Sequence, residues 1–172
     1  MPHTHAPAVE GWFTGEGEAF TLLGTRCRAC ASVFFPREDL TCRNPDCAGE
    51  DLEEVPLSRR GRIWSFTDAR YRPPAPYLSD PDREWEPFVL LAVELAAERL
   101  VVLGQAPPGT TTGQFAVGME AELVPGVLRE AGDPGQAWAT WNWRPLPANV
   151  SGPRPADERG ARLPADERGV RP

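Results

Sequence analysis

Four cysteines occur in one short stretch, and their spacing is typical of a structural metal site. Two residues separate Cys27 from Cys30, and four separate Cys42 from Cys47. Two close thiol pairs on tight turns can converge on one tetrahedral ion, which is the pattern of a zinc ribbon. Two disulfides or four unrelated buried thiols are the alternatives. Because four cysteine ligands leave no open coordination position, Zn²⁺ at this site would be structural and not catalytic.

The composition removes most of the usual catalytic groups. All 18 basic residues are arginine, so no lysine is available to form a Schiff base. Both histidines, His3 and His5, lie in a proline-containing start that we expect to be mobile. If zinc takes all four cysteines, no thiol nucleophile remains. These exclusions argue against an enzyme that works alone.

Charge and hydropathy narrow the class of protein further. The net charge of -7 disfavours a general nucleic-acid binder, which is normally basic. No apolar run is long enough to span a bilayer, and no basic-then-apolar signal begins the chain. We therefore expect a cytoplasmic protein without membrane contact, in which reduced thiols favour metal over disulfides.

Short strand-like runs dominate the chain, so we expect a mainly β protein. Around the cysteines, strands are predicted over 21–26, 33–36 and 52–57, forming a rubredoxin-like ribbon. Further along, five candidate strands have the number and size of a small Greek-key barrel such as an OB-fold. They are 62–67, 88–95, 100–104, 120–127 and 138–143. A helix over 89–100 is the competing interpretation of the second and third runs.

These elements predict four segments. Residues 1–20 form an N-terminal segment with a short helix or turn, and residues 21–56 form the zinc ribbon. Residues 57–146 form the OB-fold, and residues 147–172 form a disordered tail poor in apolar side chains. The barrel contains one long proline-rich loop, 70–87, and such loops in compact domains are usually functional or disordered.

Several aromatic and basic residues are candidates for contact with a partner or a phosphate-bearing ligand. Aromatic loops on a rigid scaffold often bind partners, and arginine forks suit phosphate oxygens. Self-packing of the aromatics and a solvated turn for the arginines are the alternatives. The candidates are Trp12, Phe13, Arg59, Arg60, Arg62, Tyr71, Arg72, Tyr77, Leu78 and Trp85.

The order of these segments, together with several short sequence motifs, resembles the DUF35 family of zinc-ribbon plus OB-fold proteins associated with acyl-CoA metabolism. These motifs cover residues 26–30, 34–37, 61–67, 87–95 and 117–119. Two departures from the family pattern are present. The second cysteine pair is Cys-x4-Cys where Cys-x2-Cys is more common, and Ala31 replaces a frequent glycine after the first pair.

The resemblance implies an accessory, non-catalytic subunit that pairs with a thiolase-like protein. Some family members assemble with a thiolase-like aldolase of steroid side-chain degradation, which releases a ketosteroid and propionyl-CoA. By this resemblance we expect a heterotetramer with a thiolase-like aldolase, and a barrel whose loops reach the partner's acyl-CoA site. A standalone acyl-CoA-binding protein and a single-stranded nucleic-acid-binding OB protein are the alternatives.

Overall fold

A computed structural model describes residues 5–72, 84–129 and 137–147 of the chain. Tyr77, Leu78 and His3 lie outside these ranges, as does the predicted tail beyond residue 147. Within the described ranges, no helix has the length and apolar character needed to cross a membrane.

The first four strands form a small antiparallel sheet around β2. They are β1 (Phe13–Thr14), β2 (Thr21–Cys27), β3 (Val33–Phe34) and β4 (Leu52–Pro56). β2 pairs with each of the other three strands. The three strands predicted around the cysteines are therefore present. β3 and β4, between which Cys42 and Cys47 lie, both pair with β2, which ends at Cys27.

The remaining five strands close into a barrel. They are β5 (Arg60–Ala69), β6 (Phe88–Leu95), β7 (Leu100–Gln105), β8 (Glu120–Arg129) and β9 (Ala137–Pro145). The order around the barrel is β5-β6-β7-β9-β8. β7 and β9 run parallel where they meet, and β8 returns antiparallel to β5. This is the strand order of an OB barrel, so the predicted fold of a ribbon followed by a five-stranded OB-fold is confirmed.

The connection between β6 and β7 is a hairpin, and the competing helix over 89–100 is wrong. Leu95 pairs with Leu100, and Arg99 in the turn has a left-handed φ of 57°. The carboxylate of Glu98 accepts hydrogen bonds of 2.8 Å from both the backbone N–H and the hydroxyl of Ser58. The turn is thereby tied to the segment that enters β5.

The N-terminal segment contains one turn of 3-10 helix, Gly17–Ala19, where a short helix or turn is predicted. Before it, residues 6–8 are paired with β9 and are not loose. Ala8 N–H donates to the Ala139 carbonyl and Ala139 N–H to the Ala6 carbonyl, both at 2.8 Å. The reason is that β7 pairs with β9 only at Asn142, which leaves an edge whose backbone groups need partners.

Ribbon and barrel share one hydrophobic core. Phe20, Leu22 and Leu57, which belong to the segments around the ribbon sheet, lie in the same buried cluster as the barrel residues Ile63 and Trp143. Each of these five side chains is almost fully buried. Because buried apolar area is the main source of stability, the two sheets stabilise each other.

Candidate metal centre and its surroundings

The four cysteines lie on the two turns that the ribbon strands support. Cys27 is the last residue of β2 and is fully buried, and its carbonyl accepts the Ala31 N–H at 2.8 Å across the first turn. In the second turn, Cys47 N–H donates to the Asn44 carbonyl at 2.9 Å. Both turns are thus closed by backbone hydrogen bonds that aim the paired side chains in one direction.

The four sulfur atoms surround one point. All of them lie within 4.8 Å of one another. The Sγ atoms of Cys27 and Cys47 are 3.9 Å apart, and those of Cys30 and Cys42 are 3.6 Å apart. A tetrahedron with metal–sulfur bonds of about 2.3 Å has edges of about 3.8 Å. None of the four thiols is in a disulfide, so the geometry fits a four-cysteine structural metal site.

The ionisation of the thiols also fits a cation. Hydrogen bonding to Ser32, whose Oγ lies 3.3 Å from Cys30 Sγ, lowers the pKa of the Cys30 thiol to about 6. Burial instead raises the pKa of the Cys42 thiol to about 12. Four crowded sulfurs cannot all become thiolates unless a positive charge lies among them. A bound divalent metal would supply that charge.

Gly49 completes the site and was missed in the sequence. A Cβ atom at this position would lie 2.9 Å from Cys27 Sγ and 3.3 Å from Cys47 Sγ. The Gly49 carbonyl also accepts the Cys42 N–H at 2.9 Å. A side chain here would press on the sulfurs. The available signal was its position two residues after Cys47, where a metal-binding turn folds back over its own ligands.

Ala31 occupies a backbone conformation that favours glycine, with a φ of 60°. We expect Ala31→Gly to raise the free energy of unfolding by about 0.5–1 kcal/mol, because relief of left-handed strain exceeds the entropy that glycine adds to the unfolded chain. Thermal unfolding of the metal-loaded protein measures this, and a melting temperature about 2–4 °C higher is expected. Ala48→Gly is the control, since Ala48 lacks a positive φ and should gain nothing. An Ala31→Gly protein that melts below the wild type would contradict the prediction.

Trp12 and Phe13 lie in an aromatic cluster that joins the two sheets. We call the cluster of Trp12, Phe13, Phe35 and Trp141 the aromatic clamp. The Phe35 ring, next to β3, lies 5.5 Å from the Trp12 ring and 5.7 Å from the Trp141 ring of β9. Trp141 is also 6.1 Å from Trp12 and 6.2 Å from Phe13. The structure therefore uses these aromatics for packing within the chain, while their contact with a partner stays a prediction.

Arg59 is engaged by the N-terminal segment. Its guanidinium donates hydrogen bonds to the carbonyls of Gly17 and Glu18, the first of 3.4 Å. These carbonyls belong to the one-turn helix, so Arg59 ties that turn to the strand entering the barrel. Because both terminal nitrogens of Arg59 already donate to backbone carbonyls, few of its N–H groups remain for a phosphate.

Arg60 and Arg62 lie among carboxylates of neighbouring strands. An Arg60 nitrogen is 3.7 Å from a Glu122 oxygen. Arg62 is in register with Glu94 on β6 and with Glu120 on β8. Opposite charges on adjacent strands attract each other, so this side of the barrel presents balanced charge and not a basic patch. Binding of CoA phosphates here stays a prediction.

The ends of the long loop are anchored by Trp85. Its Nε1–H donates to the Ala69 carbonyl at 2.7 Å, and its ring lies 5.6 Å from the Phe88 ring. The Arg72 guanidinium lies 6.0 Å from the centre of the Trp85 ring, which is within the range of a cation–π contact. Tyr71 is exposed. Tyr77 and Leu78 fall outside the described residues.

A four-cysteine ribbon packed on a five-stranded OB barrel defines the class of this protein. The family model described as "ChsH2, rubredoxin-like zinc ribbon domain" matches residues 17–53. A DUF35 domain-containing scaffold protein of Methanocaldococcus jannaschii is 26% identical over 130 residues, which are 75% of this chain and 84% of that protein. The chain belongs to the DUF35 family.

Two further similarities cover about two thirds of the chain or more, well beyond the length of the ribbon. The benzoylsuccinyl-CoA thiolase subunit BbsA of Geobacter metallireducens is 33% identical over 112 residues, which are 65% of this chain and 66% of that protein. Among solved structures, a chain of the Ltp2-ChsH2(DUF35) aldolase superposes with a TM-score of 0.52 at 26% identity. That match covers 73% of this chain and 84% of the other.

Proposed function

We propose that this chain is a non-catalytic subunit of a thiolase-like enzyme acting on an acyl-CoA. The observation that carries the proposal is similarity over 65% and 73% of the chain, far more than the ribbon alone, to a named thiolase subunit and to a component of an aldolase. A match limited to the ribbon would have indicated only a common metal-binding module. A match of 112 residues must include part of the barrel, which supports a role shared with these subunits.

The chain's own chemistry supports a subunit that relies on its partner. It has no lysine, and its two histidines lie within the first five residues. The four cysteines are placed to hold a metal. Acyl-CoA cleavage by a thiolase-like enzyme needs a base and a group that stabilises an enolate or oxyanion. In this proposal the partner supplies both.

The reaction we propose for the complex is retro-aldol cleavage of a hydroxyacyl-CoA with a steroid side chain. A base of the partner removes the hydroxyl proton, the adjacent carbon–carbon bond breaks, and the hydroxyl carbon becomes the ketone of a ketosteroid. The electron pair passes to the thioester enolate, which takes up a proton to give propionyl-CoA. We further propose a cytoplasmic heterotetramer of two copies of each chain.

Contact with the acyl-CoA itself would fall to the exposed part of the long loop. Tyr71 is exposed at the start of this loop, whereas Arg59 and Arg60 are engaged within the chain. Trp12 and Phe13 would support the interface by holding ribbon and barrel in one arrangement. Tyr77, Leu78 and Arg72 complete the proposed contact set.

We propose zinc as the resident metal. A tetrahedral set of four thiolates selects zinc or iron, and a closed site of this kind stabilises the fold without taking part in the reaction. Metal analysis of the purified protein should give one zinc per chain. One iron per chain, with the visible absorption of an iron–thiolate centre, would contradict the assignment.

Co-purification tests the subunit function. The tagged chain, expressed in its native cells, should recover a thiolase-like protein in near-equal amount, because a stable hetero-oligomer forms through a large interface. The recovered complex should cleave a steroid hydroxyacyl-CoA, and the chain purified alone should not. An unrelated tagged protein expressed in the same cells is the control, and it should recover neither the thiolase-like protein nor the cleavage activity. Cleavage of acyl-CoA by the isolated chain would refute the proposal.

A further inference from the structure

Trp64 faces outward because of a break in the pairing of β5. The ladder with β6 runs through Ile63 and resumes at Ser65, which leaves Trp64 as the extra residue of a bulge. Ile63 is fully buried, and Phe66 also packs on the core. In a regular strand these two residues would face opposite sides. The bulge turns both inward, and Trp64 is left 62% exposed.

The neighbouring strands continue this outward surface with apolar side chains. Ser65 pairs with Ala92 on β6, and Ala92 pairs with Leu103 on β7. In the adjacent row, Glu94 pairs with Val101. Leu103 is 63% exposed and Val101 is 45% exposed. Ala92 lies between Ser65 and Leu103 in the register and is only 9% exposed, so it forms the floor of this surface. We call the surface formed by the exposed side chains of Trp64, Val101 and Leu103, together with Ala92 beneath them, the Trp64 face.

Charge on the Trp64 face excludes a phosphate-rich ligand. The nearest charged positions in register are Arg62 and Glu94, which pair with each other across β5 and β6. Glu120 flanks Arg62 from β8. A surface for nucleic acid or anionic lipid needs uncompensated cations, whereas an apolar centre beside charges of both signs is typical of a protein interface.

The size of the Trp64 face matches the centre of a protein interface. A tryptophan buries about 150–250 Å², so Trp64 with its two exposed neighbours offers on the order of 300 Å² of apolar surface, the size of the largest patch on a soluble monomer. A stable complex buries about 800 Å² per partner, with an apolar core and a polar rim. Tryptophan is among the residues that contribute most to such cores.

We propose that the Trp64 face is where the thiolase-like subunit docks, with Trp64 as the central side chain and an apolar surface of that subunit as its occupant. This inference rests on the proposed function and identifies the surface through which it operates. The barrel fold does not need Trp64 for its core, because Ile63 and Phe66 already fill the inner face of β5. The exposure of a large indole there is explained by a partner.

The test compares binding of purified variants to the thiolase-like protein recovered with the chain, expressed and purified separately. We expect Trp64→Ala and Leu103→Ser each to raise Kd about 30-fold, measured by titration calorimetry. Leu40→Ser is the matched control, because Leu40 is 79% exposed but lies in the ribbon, in the segment between β3 and β4, and its Kd should equal that of the wild type. All three variants should melt within about 2 °C of the wild type, as expected for exposed positions.

The outcomes separate this inference from the proposed function. Wild-type binding with an unchanged Kd for Trp64→Ala and Leu103→Ser overturns the docking face and leaves the subunit function standing. Failure of the wild type to bind overturns both. A lower melting temperature for Trp64→Ala means that the chain's own segments cover the face, and a wild-type dimer that Trp64→Ala dissociates means that a second copy does. Either result also overturns the proposal.

Discussion

Replacing Cys27 with serine is expected to abolish metal binding and unfold the ribbon. Cys27 is fully buried at the end of β2, 3.9 Å from Cys47 Sγ. A serine hydroxyl is a far weaker zinc ligand than a thiolate, and the three remaining thiols cannot all ionise without the metal. Structural zinc contributes about 10–16 kcal/mol to folding in zinc-finger peptides, which exceeds the stability of most small domains.

Metal content and thermal unfolding measure this effect. Zinc should fall from one per chain to near zero in Cys27→Ser, and the variant should fail to assemble with its partner. Chelation of the wild type should reproduce the same loss. Thr41→Ala, next to Cys42 and exposed, is the control and should retain its zinc. A soluble, partner-competent Cys27→Ser protein would show that the metal does not hold the ribbon.

Replacing Trp141 with alanine is expected to lower stability by about 3 kcal/mol, because the aromatic clamp loses its central ring. Trp141 contacts Trp12 and Phe35 from two other segments. Its Nε1–H also donates to the Leu103 carbonyl at 3.0 Å. Trp141 is the one residue of the clamp that belongs to a barrel strand. Its loss should therefore weaken the contact between ribbon and barrel, which would then depend on the shared core. A melting temperature about 6–12 °C lower is expected.

Two further tryptophan substitutions distinguish packing from binding. Trp141→Phe keeps one aromatic ring and loses the indole N–H donor together with part of the ring surface, so it should cost less than Trp141→Ala, about 1–2 kcal/mol. Trp64→Ala removes an equally large side chain that is exposed, and its melting temperature should stay close to that of the wild type while partner binding weakens. If Trp141→Ala and Trp64→Ala have the same melting temperature, the clamp does not join the two sheets.

Much of the fold follows from local patterns in the sequence. The strands around Cys27 and the β6 run Phe88–Leu95 were predicted almost at their observed bounds, because β-branched and aromatic residues between turn residues carry their own signal. The cysteine spacing likewise indicated one metal site, because the two cysteines of each pair are only a few residues apart in the sequence. The hairpin after Leu95 was predicted correctly against a helix despite weak turn residues.

Other features depend on contacts between distant segments and could not be predicted. Arg59 was a candidate phosphate ligand by residue type, yet it donates to the carbonyls of Gly17 and Glu18 about 40 positions away. The pairing of residues 6–8 with β9 depends on an edge that exists only once the barrel has closed. The sequence around one residue of such a contact does not indicate which distant residue it will meet.

By itself, the sequence determined the four-cysteine ribbon, the barrel strands and the lack of lysine, because each depends on residue type and short spacing. Only the tertiary structure decided the placement of Gly49 against the sulfurs, the joining of Trp12 and Phe35 through Trp141, and the outward turn of Trp64. Backbone approach, cross-sheet packing and a bulge in β5 set these three features. All three arise when strands far apart in the chain meet.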